Sequence, residues 1–148
     1  MAEDMLEAVF RRQAEFAARI GGAGLGHPIG TDWDRLATDG SLSEEDAARI
    51  TQAIDTYATC ITQEAAELRD WVPWKHWSQS LGNKADKGPE GIEPWTEEHL
   101  YEMRVEVADL LCFLVNTAMW LGMGAAELNA YHTEKVGVNH ARQDEGKY

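Results

Sequence analysis

Glu64 and Glu67 stand three residues apart, and so do Glu106 and Asp109. Residues at that spacing share one side of a helix, so each acidic pair projects in a single direction. Glu64 lies at the edge of an apolar stripe running from Ile50 to Leu68, and Glu106 sits among Met103, Val105, Val107 and Leu110. Both acids therefore turn toward a neighbouring helix and not simply into water. Two such pairs facing each other make a box of four carboxylates. Four like charges in a partly dry cleft cannot all stay ionised without compensation, and hard divalent cations with oxygen ligands, Mg²⁺ first, are the usual compensation. Acidic pairs on solvated faces arise freely in a chain with 26 Asp and Glu. What favours the box is a pair on each of two consecutive long helices, both beside apolar stripes. A di-iron site wants Glu-x-x-His, and none of the five histidines has a Glu three residues before it; His-Glu-x-x-His is also absent.

Cationic chemistry collects further along. Lys135, Asn139 and Arg142 follow one another at spacings of four and three, which stacks two cations and an amide on one helix face suited to phosphate oxygens, or equally to salt bridges on a solvated helix. Gln13 interrupts the apolar stripe of Val9, Phe10 and Phe16. An amide buried there needs a partner, either the edge of a base or a backbone carbonyl. Trp71, Trp74 and Trp77 offer rings that stack on a base or close a core.

Four helices and two loops must position these groups. Met5, Leu6, Val9, Phe10, Phe16, Ala17 and Ile20 recur at helical spacing over residues 3–20. Residues 21–40 hold seven glycines or prolines and read as a connection; no Gly-Lys-Ser/Thr makes them a phosphate loop. Ser43 with Asp46 opens a second helix, patterned by Ala47, Ile50, Ile54, Tyr57, Ile61, Ala65 and Leu68 and ended near Trp71-Val72 by Pro73. Residues 79–95 form another Gly- and Pro-bearing loop. Thr96, Glu97 and Glu98 start a third helix whose later half, Leu110 to Leu121, is apolar on nearly every side and so suggests a subunit interface. Gly122 and Gly124 break it before a fourth helix, about Ala125 to Gln143. No strand pattern is evident, and the expected fold class is all-α.

Length and composition bound the rest. A chain of 148 residues with 44% hydrophobic and 26% charged residues fits one folded domain, 1–148, with a real core. A formal charge of -13 repels phosphate backbones, which argues against nonspecific nucleic-acid binding unless cations or a Lys/Arg cluster reverse the sign locally. Cys60 and Cys112 fall in apolar helical patterns without zinc spacing. With no apolar run of membrane-spanning length and an acidic amphipathic start, the expectation is a soluble cytoplasmic protein with reduced thiols and no membrane partner.

Glu64-Ala-Ala-Glu67-Leu68-Arg69-Asp70 followed by Trp74-Lys75-His76-Trp77 resembles the dimeric dUTPases of the all-α nucleoside triphosphate pyrophosphatase superfamily, which includes MazG-like proteins. Arg104-Val105-Glu106-Val107-Ala108-Asp109 and Phe113 resemble its second acidic helix, and Lys135, Asn139, Arg142, Gln143, Gly146 and Tyr148 its C-terminal phosphate-binding segment. These motifs cover roughly half the chain in the family's order. The resemblance implies a four-helix core assembled as a homodimer or dimer of dimers. It further implies that Glu64, Glu67, Glu106 and Asp109 hold Mg²⁺, with Mn²⁺ as substitute. Lys135, Arg142 and Tyr148 would grip the phosphates, with Lys75 assisting and Asn139 in the same segment, while Gln13 and Trp74, on the residue pattern alone, are candidates for contact with the base. The implied reaction is hydrolysis of a deoxynucleoside triphosphate to monophosphate and pyrophosphate, with Glu67 as general base.

Phe16 stands where these dUTPases tend to carry an Asn, Cys112 where they have a His, and Lys135 is followed by Val136 in place of an Asn. The base is therefore open: dUTP by resemblance, dCTP or dGTP for a compact phage-type member. A different class of answer is a noncatalytic helical module that binds a partner through its apolar third helix and carries its acids for solubility.

Overall fold

In a computed structural model of the chain, α-helices begin at Asp, Ser and Thr side chains that take up otherwise unpaired backbone N–H groups. The structure describes residues 4–20, 31–72 and 91–146. Among them are five helices and no strand: α1 (Met5–Ile20), α2 (Trp33–Asp39), α3 (Glu44–Asp70), α4 (Glu97–Trp120) and α5 (Ala125–Asp144). The all-α expectation holds. Trp74, Lys75, Trp77 and Tyr148 lie outside the described residues.

The Asp4 carboxylate accepts the Leu6 N–H at 2.8 Å and caps α1. Ser43 Oγ accepts the Asp46 N–H at 3.0 Å and donates to the Asp46 carboxylate at 2.9 Å, so the start of α3 is closed from both sides. Thr96 Oγ1 takes the His99 N–H at 3.1 Å and opens α4. The short helix α2 corrects the expectation of a continuous loop over 21–40. Asp32 caps it by accepting the Arg35 N–H at 3.1 Å, and Gly40, at φ 72°, ends it by donating to the Leu36 carbonyl. An Asp at the N-cap and a left-handed glycine at the C-terminus are enough for two turns.

The described residues form two compact units. One comprises Met1–Ala53 with Val115–Tyr148, the other Ile54–Leu114. In the first, Phe10, Val115, Ala118 and Met119 make a buried cluster, against which Leu6, Val9, Ala14, Met123, Ala125 and Leu128 pack. The Phe, Val and Met side chains contribute about 1.5–3 kcal/mol each when fully buried. Asp46, buried in the same unit, is paired with Arg49 at 3.2 Å, and the Arg49 guanidinium lies 5.9 Å from the Trp120 ring centre. The charge is thereby matched and covered.

The end of α4 belongs to this unit too. Met123 N–H reaches back to the Ala118 carbonyl and Gly122 N–H to Met119, both at 3.0 Å, the paired bonds of a helix terminated by a left-handed residue. Gly122 supplies that residue, at φ 75°.

In the second unit α3 and α4 run antiparallel. Tyr57 meets Phe113 with ring centres 6.2 Å apart, Glu64 meets Glu106 and Asp109, and Trp71 meets His99 with ring centres 5.6 Å apart. Each step of seven residues up α3 is answered by a step of seven down α4, the register of two helices that keep one seam facing each other. The carboxylates occupy the middle of that seam, with aromatic pairs above and below.

A Cβ at position 122 would sit 2.9 Å from the Trp33 ring, whereas one at Gly40, which has similar dihedrals, meets nothing within 4 Å. Gly40→Ala is expected to cost about 1–2 kcal/mol for the left-handed backbone alone. Gly122→Ala should add about 1–3 kcal/mol for the displaced ring. Urea unfolding of the two variants checks this; equal losses would mean that Trp33 is not seated against Gly122.

Candidate metal centre

Glu64 is carried by α3, and Glu106 and Asp109 by adjacent turns of α4, so three carboxylates from two helices reach one point. One oxygen from each lies within 4.8 Å of the others. Glu64 and Glu106 are half-buried. Glu67, the fourth acid expected in the box, stands beside this trio and not within it: its carboxylate accepts the Gln63 side-chain N–H at 2.7 Å.

Burial pushes the Glu64 carboxyl above the usual glutamate range, and the charges of Glu67, Asp109 and Glu106 push it further, as does a hydrogen bond with Glu106. That bond requires a proton between the two carboxylates, because ionised carboxylates only accept. Burial first, and the Asp109 charge second, also raise the Cys112 thiol, which keeps it protonated and unreactive. Without a cation, the crowding makes Glu64 bind a proton more tightly than an isolated glutamate does.

The donor set fits a hard cation. Three carboxylates and no nitrogen or sulfur favour Mg²⁺, Mn²⁺ or Ca²⁺ over zinc or iron. Neighbouring oxygens around a Mg²⁺ ion stand about 3 Å apart and opposite ones about 4.2 Å, so carboxylates within 4.8 Å of one another are near enough to close on one ion by side-chain rotation. Three protein oxygens leave half of an octahedral shell for water or substrate oxygens.

One neutral donor also reaches the trio. The Trp71 indole N–H points to Glu106 Oε1 at 3.4 Å, and Trp71 is itself tied to the fully buried His99. Neither was singled out for this role by the residue pattern, which offered Trp71 only for ring stacking or core closure. The signal was present: Trp71 lies seven residues after Glu64 and His99 seven before Glu106, on the same helix faces as the acids.

Lys135 and Arg142 are exposed on α5, Asn139 is half-buried there, and Gln13 is half-buried on α1. All four belong to the unit that does not contain the carboxylates. On the unit with the carboxylates, a groove of about 640 Å³ is lined by Ala65, Leu68, Arg69 and Val72 of the α3 end and by Leu100, Met103, Arg104 and Val107 of α4. It has no acid in its lining and is distinct in chemistry from the carboxylate trio. No single described helix is long and apolar enough to cross a membrane. No family model, curated protein or solved structure matches the chain.

The raised Glu64 carboxyl has a consequence for stability. The folded chain binds this proton more tightly than the unfolded chain. Stability from this group is therefore present at acidic pH and is withdrawn as pH rises from the ordinary glutamate range through the raised value. In metal-free protein at neutral pH, Glu64→Gln should raise the melting temperature and flatten its pH dependence. Mg²⁺ at a hundred times its Kd should stabilise the wild type by about 2.7 kcal/mol and the variant far less. Melting curves with and without chelator check both; a metal-free variant that melts below the wild type at neutral pH would contradict the assignment.

Proposed function

We propose that the chain is a Mg²⁺-dependent deoxynucleoside triphosphate pyrophosphohydrolase, acting in control of the nucleotide pool. The observation that carries this reading is the convergence of Glu64, Glu106 and Asp109 on one point from two antiparallel helices. The resemblance of the acidic and basic motifs to those of the all-α nucleoside triphosphate pyrophosphatase superfamily suggests the substrate class.

A divalent cation bound by these acids supplies neutralisation of phosphate charge and a lowered pKa for the attacking water. The chain's own residues do the rest. Glu64, Glu106 and Asp109 fix the charge at one place in the helix seam. Glu67, one turn from Glu64 and held at one oxygen by Gln63, takes the proton from water as it attacks phosphorus. The bond to the departing phosphate oxygen breaks, giving monophosphate and pyrophosphate. Lys135 and Arg142 are the proposed phosphate contacts, with Asn139, Lys75 and Tyr148 assisting. Gln13 and Trp74 are the proposed contacts to the base. dUTP is the first substrate to test, then dCTP and dGTP.

We further propose a homodimer or dimer of dimers. Val107, Leu111 and Leu114 are 55%, 43% and 51% exposed, and their spacing of four and three puts them on one face of α4. A single apolar helix face is self-complementary across a two-fold axis, and a second copy of the chain is the occupant it suits.

Incubation with each dNTP and Mg²⁺ should release pyrophosphate and the matching monophosphate. Asp109→Asn should lower turnover at least about 100-fold, and Glu67→Gln by about 10²–10⁴-fold, with circular dichroism unchanged. No release from any base by metal-loaded protein, or full turnover in both variants, would overturn the reading and favour a noncatalytic interaction module. Light scattering should give a dimer or tetramer mass for the wild type and a lower mass for Leu111→Glu/Leu114→Glu. A monomeric wild type would refute the assembly alone.

A further inference from the structure

Trp71 lies one residue beyond the end of α3, at 6% exposure, and its position is fixed from two directions. Its backbone carbonyl lies 2.6 Å from His99 Nε2, and its ring packs against the His99 imidazole. His99 Nδ1 lies 2.7 Å from the Trp95 backbone N–H. A backbone N–H only donates, so Nδ1 accepts, and Nε2 must then carry the ring hydrogen and donate to the Trp71 carbonyl. Both ring nitrogens are satisfied in a single tautomer. The ring is also fully buried, between Trp71 and an edge-on Trp95. The imidazole therefore has one low-energy placement, and it transmits that placement to Trp71.

The indole N–H of Trp71 can only donate, and it is aimed at Glu106 Oε1, 35 residues away in sequence. Glu106 is a carboxylate on a flexible stem whose neighbours Glu64 and Asp109 repel it when ionised. A fixed neutral donor holds its plane without adding charge to the centre.

We propose that Trp71, locked by His99, is a positioning residue that orients Glu106 for cation binding. It acts as an outer-shell donor to a ligating carboxylate, and loss of such donors lowers metal affinity. This rests on the reading of Glu64, Glu106 and Asp109 as a cation centre. Trp71→Phe keeps a ring in the seam and deletes only the N–H; His99→Gln releases Trp71 itself.

The test is Mn²⁺ binding to the full chain, followed by the electron paramagnetic resonance of free ion. Trp71→Phe should bind Mn²⁺ about 10- to 100-fold more weakly than the wild type, with helicity retained. His99→Gln should weaken it in the same direction if it folds. Phe113→Leu, which loosens the same helix pair at the Tyr57 end but keeps the donor to Glu106, should lower Mn²⁺ affinity far less than Trp71→Phe. In turnover, the Trp71→Phe defect should appear in the Mn²⁺ concentration needed for half-maximal rate, with the rate restored at saturating Mn²⁺. If the wild type binds Mn²⁺ and Glu106→Gln does not, yet Trp71→Phe binds like the wild type, the positioning role is overturned while the cation centre stands. Equal losses in Trp71→Phe and Phe113→Leu would reduce Trp71 to a stabilising residue and also overturn it. A wild type that binds no Mn²⁺ removes both.

Discussion

Mutual repulsion among the carboxylates of α3 and α4 is the constraint around which the second unit is organised. Glu64, Glu106 and Asp109 are brought within 4.8 Å at their oxygens, and Glu64 answers by holding its proton more tightly than an ordinary glutamate. Two free helices would relieve this by rotating apart. They are prevented by what flanks the acids: Tyr57 against Phe113 on one side, and Trp71 against His99 on the other. Apolar and aromatic packing thus stabilises an electrostatically unfavourable middle, the pattern expected where folding energy is diverted to a binding site.

The geometry of the flanks is matched to that task. Tyr57, Glu64 and Trp71 are spaced at sevens, as are His99, Glu106 and Phe113. A seven-residue step nearly completes two helical turns, so all six point into one seam. The His99 imidazole then joins the end of α3 to the start of α4 through two backbone groups, at the place where both helices would otherwise fray. A structural histidine and a carboxylate triad are in this sense parts of one device.

Much of this was readable from residue order. The capping pair Ser43 and Asp46, the apolar recurrence from Ala47 to Leu68, and the glycine break at 122 each have a local cause, and local causes survive into the structure. The acidic pairs at a spacing of three were likewise visible, because helical periodicity alone fixes which side chains share a face. The short α2 was hidden by the glycines and prolines around it, although Asp32 and Gly40 are ordinary helix-end residues once the segment is taken alone. Helical spacing could not separate Glu67 from the trio, since which of two acids on one face turns to the neighbouring helix depends on the partner's rotamers. The bond from Trp71 to Glu106 spans two helices and depends on their register, which no single-helix pattern contains. Lys135, Asn139 and Arg142 share a helix as expected, but a role in holding phosphate lies beyond what periodicity specifies.

Calorimetric titration of Mg²⁺ in two buffers of different ionisation enthalpy tests the central claim most directly, because it counts protons released as the ion binds. If crowded acids hold a proton until a cation replaces it, binding near the raised Glu64 value should release protons, and Glu64→Gln should abolish that release. Binding with no proton release at any pH between the ordinary glutamate range and neutrality, or release unchanged in Glu64→Gln, would contradict the account.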